Sequence, residues 1–242
     1  MADTDDRPDR SGQEAESGSS SRSDRDSHGI LGPDPASHPD SRVIRTQIER
    51  SQHREHSAPL FMTSSFTFES AEQARAVFAD EEEAFIYSRF SNPNYRELVD
   101  KMCELEGTED GVAVASGMSA IFTTFGALLE SGDEIVSSRS LFGSTHKVLT
   151  QILPKWGITC NYAEMDDPAT WEEAITDETR LLYVESPSNP TLDCIDLAWL
   201  ADLCEREDLI YVVDNIFATP ILQQPVEYGA DIVVHSATKY ID

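Results

Sequence analysis

The stretch that decides the fold lies between residues 181 and 215 and reads LLYVESPSNPTLDCIDLAWLADLCEREDLIYVVDN. Residues 181–185 and 210–213 are short apolar segments, and residues 197–205 between them have the spacing of an amphipathic helix. Apolar strands without polar alternation are buried on both faces, which is typical of parallel sheets. Parallel strands need a crossover connection, and a helix commonly provides it. This unit therefore predicts an α/β protein.

The same alternation of strands and helices continues on both sides of this unit. Further strands are predicted at residues 112–115, 134–138, 158–162 and 231–234, and helices at 118–129, 144–155 and 167–175. Upstream, residues 59–68 suit an extended arm, Ser70 and Gln73 form a capping box, and Asn92-Pro93 opens another helix. Apolar strands joined by helices indicate a mainly parallel sheet covered by helices on both faces.

Composition narrows the class of protein. The chain has 45 acidic against 18 basic residues, a net charge of -27, and only a few lysines: Lys101, Lys147, Lys155 and Lys239. Such a surface predicts a protein of a salt-loaded cytoplasm, where counterions screen the repulsion. The alternative is an acidic protein with a basic partner. Without a basic stripe, nucleic acid is disfavoured as a partner.

Targeting and metal signals are missing from the sequence. The first residues do not resemble a signal peptide, and no apolar run reaches membrane-spanning length, so we expect a cytoplasmic protein that binds no membrane. The cysteines lack paired metal-ligand spacing and are predicted to be reduced and structural, with no metal site. Cys160 lies beside a predicted strand, and the other three lie in helical patterns: Cys103, Cys194 and Cys204.

Lys239 ends the run Ile-Val-Val-His-Ser-Ala-Thr-Lys (232–239). An amine at the end of a core strand can lose its proton through desolvation and attack an aldehyde. The hydroxyls of Ser236 and Thr238 are suited to hold a phosphate. An amine beside phosphate ligands predicts pyridoxal phosphate (PLP) held as a Schiff base. The alternative is a surface lysine that follows an edge strand.

Other predicted strand ends carry groups of matching chemistry. Gly117, in Ser-Gly-Met (116–118), begins a helix whose free amides could cradle an anion. Asp214 places at the end of an apolar strand a carboxylate that needs a partner, and a pyridinium nitrogen would serve. Asn189 could offer an amide to a ring oxygen or a substrate carboxylate. Each also has a plain alternative: a tight turn, a helix-capping aspartate and a loop turn.

Five spaced motifs resemble the Cys/Met metabolism (trans-sulfuration) family of PLP-dependent enzymes, from about residue 43 to residue 242. They are Tyr-Ser-Arg-Phe-Ser-Asn-Pro (87–93), Ser-Gly-Met (116–118), Val-Glu-Ser-Pro-Ser-Asn-Pro (184–190), Val-Asp-Asn (213–215) and His-Ser-Ala-Thr-Lys (235–239). The resemblance implies an α/β, aspartate-aminotransferase-like fold (fold type I).

The resemblance also implies a division of the chain. Residues 1–42 are expected to form a disordered acidic tail, with Ser41 a candidate cap for the first helix. Residues 43–86 would form an arm that contacts a neighbouring subunit, and residues 87–242 an incomplete large domain. The family's C-terminal domain, with the arginine that holds the substrate carboxylate, would be missing. We therefore expect this piece alone to bind PLP weakly and turn over little.

Several roles at the cofactor follow from the same resemblance. Lys239 would be the Schiff-base lysine and the proton carrier, and Asp214 would pair with the pyridine nitrogen. The phosphate would be held by Gly117, Met118, Ser236 and Thr238.

Further roles concern the ring and the neighbouring subunit. Phe142 would stack on the pyridine ring, where many members of the family have a tyrosine, so no phenol can act as an acid or base here. Asn189 would contact the ring oxygen. Tyr87 and Arg89 would reach the phosphate of a neighbouring subunit, which requires a homodimer or homotetramer.

The activity that the resemblance implies is a γ-replacement on an O-acyl homoserine by a sulfur nucleophile, in methionine and cysteine biosynthesis. Leu-Phe-Gly-Ser (141–144) and Thr-Lys-Tyr-Ile-Asp (238–242) are most similar to the O-succinylhomoserine sulfhydrylase branch. The ester could be of succinate, acetate or phosphate, and the nucleophile sulfide or cysteine, the latter as in cystathionine γ-synthase. Alternatives are a cystathionine or methionine γ-lyase, and a non-catalytic remnant that acts as a subunit-interaction module.

Overall fold

A computed structural model describes residues 38–241 of the chain. The tail was predicted at residues 1–42, and its residues 1–37 lie outside the described residues. The first helix, α1, is Pro39–Arg45, and the His38 side chain accepts a hydrogen bond from the Asp40 N–H. The helix therefore includes residues 39–42, which the sequence analysis placed in the tail. Pro39 explains the difference, because proline at the first helical position is preorganised for a helix. Ser41 lies inside α1 and does not cap it.

A five-stranded parallel sheet forms the centre of residues 38–241, the part of the chain that the structure describes. Its strands in chain order are β1 (Glu134–Ser138), β2 (Thr159–Ala163), β3 (Thr179–Glu185), β4 (Ile210–Asp214) and β5 (Ile232–Val234). Their spatial order is β2-β1-β3-β4-β5, and every neighbouring pair is parallel. The mainly parallel sheet predicted from the apolar segments is confirmed.

Within the described residues, seven further α-helices accompany the sheet: α2 (Ala71–Phe78), α3 (Pro93–Glu106), α4 (Gly117–Leu128), α5 (Gly143–Lys147), α6 (Pro168–Ala174), α7 (Leu197–Glu207) and α8 (Thr219–Leu222). The predicted starts of α2 and α3 are confirmed. Ser70 Oγ accepts the Gln73 N–H at 3.1 Å, and Asn92 accepts the Asn94 N–H at 2.9 Å, directly before Pro93.

The two faces of the sheet support two hydrophobic cores. On one face, Phe125 and Leu149 pack with Tyr183 and Val212. On the other, Trp171 and Leu200 join a cluster that contains Leu182 and Val213. Because neighbouring strand residues point to opposite faces, both cores draw on the same strands. This arrangement explains why the strands read as continuous apolar runs.

Three local predictions are wrong. Residues 112–115 form no strand, and Val112 is 84% exposed. Within residues 38–241 no strand pairs with this segment, so its backbone lacks the ladder that a strand requires. The helix predicted at 144–155 is divided into α5, a π-helical turn (Val148–Ile152) and a 3₁₀ turn (Leu153–Trp156). Pro154 lacks an amide donor, so it cannot continue a regular α-helix. Cys194 lies in an exposed loop, not in a helix.

The four cysteines have free thiols, as predicted. Among the described residues, no helix has both the length and the apolar character needed to cross a membrane.

Candidate functional site

The candidate site lies at the carboxyl ends of β3, β4 and β5. The strand register places Glu185 beside Asp214 and Asp214 beside Val234, so three strands end at the same edge. Ligands of parallel α/β sheets collect at this edge, because the loops and helix N-termini that follow the strands converge there. The sheet thus brings together the segments that carry Asn189, Asp214 and Lys239.

Asp214 is a buried carboxylate, only 2% exposed. Its Oδ2 accepts the Tyr183 hydroxyl at 2.9 Å, and its Oδ1 accepts the Ile216 N–H at 3.1 Å. Burial raises the pKa of Asp214 to about 6, although these two hydrogen bonds and the nearby His235 act in the opposite direction. Its two donors are neutral, and among the described residues it forms no salt bridge. A cation beside this carboxylate would therefore be strongly favoured.

Glu185 is a second buried carboxylate, 5% exposed, at the end of β3. One oxygen accepts the Phe142 N–H at 2.6 Å. Burial, followed by the charge of Asp214, raises the pKa of Glu185 to about 7. The site therefore contains two neighbouring carboxyl groups whose charged forms are both disfavoured.

The start of α4 forms an anion cradle against β5. A Cβ atom placed on Gly117 would lie 2.7 Å from Ser236 Cβ and 3.2 Å from Ser236 Oγ, so only glycine fits without a shift. Ser116 caps α4 and accepts the N–H groups of Ser119 and Ala120 through its Oγ and its carbonyl oxygen. The remaining first-turn amides, those of Gly117 and Met118, have no acceptor within the helix. Two free amides and the Ser236 hydroxyl thus lie together.

Lys239 follows this cradle in a turn, and its own N–H donates to the Ser236 carbonyl at 3.1 Å. Thr238 and Lys239 are both exposed. The desolvation of the lysine that the sequence analysis expected is therefore not seen, because the turn carries Lys239 past the buried end of β5. The turn nevertheless keeps the Lys239 backbone beside Ser236, because the two residues are joined by this hydrogen bond.

Two of the predicted site residues lie in the loops after β1 and β3. Phe142, the residue before α5, is 41% exposed, and its N–H donates to Glu185. Asn189, in the loop after β3, is half-buried. The Phe142 loop is thus joined to the end of the strand that leads into the Asn189 loop.

Tyr87 and Arg89 lie apart from this cluster on the segment that follows the arm. Both are exposed, and the Arg89 guanidinium lies 4.6 Å from the ring centre of Phe90. Ser65 and Tyr87 form an isolated antiparallel bridge. No hydrogen bond or ion pair among the described residues joins these two side chains to the strand-end cluster.

The sequence analysis did not recognise Tyr183 and Glu185 as site residues. Tyr183 is fully buried against Phe125, with ring centres 5.2 Å apart, and its hydroxyl needs a polar partner. A signal was present, since residues two apart in a strand share a face and Tyr183 lies two before Glu185. Pairing with Asp214 could not be read from this spacing, because it depends on the register between β3 and β4.

A buried polar network behind the site was also missed. Glu106, at the end of α3, accepts the Asn215 amide at 3.0 Å and contacts His235 Nε2. The Gln223 amide donates to Asn215 Oδ1 at 2.9 Å and to the Ser186 carbonyl at 2.7 Å. The network joins α3 and α8 to the ends of β3, β4 and β5, so it fixes the frame in which Asp214 lies.

The architecture described above is that of a fold type I PLP-dependent enzyme, and comparison with known proteins agrees. A crystal structure from Campylobacter jejuni, of a protein assigned as an O-acetylhomoserine (thiol)-lyase, superposes with a TM-score of 0.81 at 32% identity. The match covers 84% of this chain and 50% of that one, and that structure carries N'-pyridoxyl-lysine-5'-monophosphate.

The chain belongs to the Cys/Met metabolism PLP-dependent enzyme family, whose model matches residues 40–242. It is 44% identical over 203 residues to the O-succinylhomoserine sulfhydrylase of Pseudomonas aeruginosa, which covers 84% of this chain and 50% of that protein. It is also 44% identical over 184 residues to the L-methionine gamma-lyase of Pseudomonas deceptionensis, covering 76% and 46%. The chain spans about half the length of the curated relatives it matches.

Proposed function

We propose that PLP binds at the edge formed by β3, β4, β5 and the start of α4, in an enzyme that performs γ-replacement on an O-acyl homoserine. The observation that carries the cofactor proposal is that one edge of the sheet contains both a position that favours a cation and a position that favours an anion. Asp214 is a buried carboxylate that would be stabilised by a cation, and the Gly117–Ser236 contact forms a cradle for an anion. PLP carries both a pyridinium nitrogen and a phosphate.

The residues present fit this cofactor. The Gly117 and Met118 amides and the hydroxyls of Ser236 and Thr238 would hold the phosphate, because free amides at a helix N-terminus favour anions. Asp214 would accept the pyridinium N–H, with Tyr183 and the Ile216 amide fixing its orientation. The pairing would also offset the cost of ionising Asp214 in a buried position.

Three side chains would complete the cofactor site. Phe142 would cover one face of the ring and exclude water from it, while Asn189 would donate its amide to the ring oxygen. When bound, PLP supplies an electron sink that stabilises negative charge on the substrate carbons. Lys239 would hold the cofactor covalently and carry the proton removed from the α-carbon of the substrate.

The proposed reaction joins a sulfur nucleophile to the γ-carbon of an O-acyl homoserine, with loss of the acyloxy group. Relatives named O-succinylhomoserine sulfhydrylase support it, and so does Phe142, which offers no phenol as an acid or base. The rival is a γ-elimination, which relatives named L-methionine gamma-lyase favour at the same identity.

A second copy of the chain is proposed to complete the site. Tyr87 and Arg89 are exposed, and a guanidinium suits bidentate recognition of phosphate. Within one copy they lie outside the strand-end cluster. We propose that they contact the cofactor phosphate of a neighbouring subunit, in a homodimer or homotetramer.

Borohydride trapping tests the cofactor site. The chain is incubated with excess PLP, reduced, digested and mapped by mass spectrometry, which is clean because it has so few lysines. The phosphopyridoxyl group should be found on Lys239 and should be lost in Lys239→Ala. Lys155→Ala, which removes another exposed lysine, is the matched control and should leave the modification in place. Modification spread evenly over Lys101, Lys147 and Lys155 would refute the site.

Product analysis separates the two reactions. The protein is supplied with O-succinylhomoserine and sulfide, or with methionine alone. Homocysteine formed from the first mixture supports γ-replacement. A 2-oxo acid and ammonia formed from methionine would instead support the γ-lyase.

A further inference from the structure

Glu185 links the loop after β1 to the end of β3, the strand that leads into the Asn189 loop. The Phe142 N–H, in the loop after β1, donates to its Oε2 at 2.6 Å. The first loop carries the ring-covering side chain of the proposed site, and the second carries the amide for the ring oxygen. One buried group therefore fixes the Phe142 loop beside the start of the Asn189 loop.

The same two loops have a second, exposed connection. Ser140 Oγ donates to Asp193 Oδ2 at 3.0 Å, and Thr191 Oγ1 donates to that oxygen at 2.6 Å. A hydrogen bond in solvent would be enough to hold loops of this kind loosely. The buried carboxylate adds a connection whose strength depends on its charge, which the exposed hydrogen bonds do not provide.

The position of Glu185 is costly for a charge. It is buried and lies beside Asp214 in the strand register, so ionisation must overcome desolvation and a like charge. Neutral groups could join the loops without this cost. An ionised acceptor nevertheless forms shorter and stronger hydrogen bonds with N–H donors than a neutral acceptor does. The charge state of Glu185 therefore controls how firmly the Phe142 loop is held.

We propose that Glu185 is a positioning residue, whose ionised carboxylate holds the Phe142 loop against the cofactor site and whose protonation loosens that loop. Its role toward the cofactor rests on the proposed function. The titratable groups that face it are Asp214 from β4 and Tyr183 from β3 itself, and His235 from β5 acts on Asp214 from the other side. Asp214 is the charged group that opposes its ionisation.

Amide NMR of the ligand-free chain tests this proposal. The Phe142 amide proton should shift as the pH is lowered, with a midpoint near pH 7, because protonation of Glu185 weakens its hydrogen bond. In Glu185→Gln this titration should be lost. A Phe142 amide that does not titrate in the wild-type chain, or that titrates unchanged in Glu185→Gln, would overturn the proposal.

Two further variants keep the test decisive. Ser140→Ala removes the exposed connection alone and should leave the midpoint in place. Asp214→Asn removes the neighbouring charge, so the midpoint of the Phe142 amide titration should move to lower pH. If Glu185→Gln does not fold, the shift of the midpoint in Asp214→Asn tests the proposal instead, and an unchanged midpoint in that variant contradicts it. Since no PLP is present, a negative result here is separate from failure of the trapping experiment.

Discussion

At the scale of single residues, the candidate site is defined by carboxyl groups placed where charge is disfavoured. Asp214 and Glu185 end adjacent strands, and the nearest donors to Asp214 are a hydroxyl and an amide, both uncharged. In a structure selected only for stability, such positions would be occupied by neutral side chains. Retaining them fits a site that becomes stable when a cationic group binds.

The first prediction concerns stability against pH. The pKa of Asp214 rises from its ordinary value of 3.8 to about 6 in the fold, and that of Glu185 rises from 4.5 to about 7. Groups with a raised folded pKa contribute stability below their unfolded pKa and lose it as pH rises through the folded pKa. The free energy of unfolding should therefore fall between about pH 4 and 7, by roughly 3 kcal/mol from Asp214 alone.

Urea unfolding of the ligand-free chain at a series of pH values measures this slope. Asp214→Asn should reduce the slope, because the titrating group is gone. Ser140→Ala removes no titratable group and should show the wild-type slope. A wild-type slope in Asp214→Asn would show that this carboxyl group does not cause the pH dependence of the unfolding free energy.

At the scale of secondary-structure elements, the anion cradle depends on how closely α4 approaches β5. Ser116 Oγ accepts the Ser119 N–H and so sets where α4 begins. Gly117 then packs against Ser236 at a distance that excludes a Cβ atom. The two elements are joined by backbone proximity, and this proximity leaves the amides of the first turn facing the end of β5.

The second prediction uses two glycines of this one helix. Gly117→Ala should cost about 1–3 kcal/mol, because the added Cβ must move Ser236, and PLP should bind more weakly as the cradle opens. Gly126→Ala is the matched control: its Cβ would meet nothing within 4 Å, so it should stabilise the helix by about 0.5–1 kcal/mol. Chemical unfolding and PLP titration of both variants give the comparison. Equal changes in unfolding free energy and in PLP affinity in the two variants would show that Gly117 does not pack closely against Ser236.

At the scale of the whole molecule, the dominant property is the net charge of -27. The described acids are mostly on the surface, and their mutual repulsion opposes the compact state. Origin from a salt-loaded cytoplasm remains a prediction. The repulsion between these acidic residues can be tested by measuring how salt changes the stability of the protein.

The third prediction is that the melting temperature Tm rises when KCl is increased from 0.1 M to 1 M. The screening length falls from about 10 Å to about 3 Å over this range, so repulsion between surface carboxylates is relieved. Each kcal/mol gained should raise Tm by about 2–4 °C. Calorimetry at pH 7 measures the shift. The salt effect should shrink near pH 4, where carboxylates begin to be protonated, and a Tm that falls with KCl would contradict the argument.

The sequence by itself determined the elements and the class of fold. Ser70 and Asn92-Pro93 mark helix starts through local hydrogen bonds and backbone preferences that require no distant partner. Apolar runs such as residues 210–213 indicate buried parallel strands because they lack the polar alternation of a half-exposed strand. Residues 112–115 show the limit, because an apolar segment becomes a strand only beside another strand.

Only the tertiary structure decided which side chains meet at the site. Tyr183 reaches Asp214, and Glu185 holds Phe142, because the register of the parallel strands aligns their ends. Register follows from packing of the whole sheet between two cores, so it cannot be obtained from the spacing within one segment. The exposure of Lys239 was decided in the same way, by the turn that follows β5.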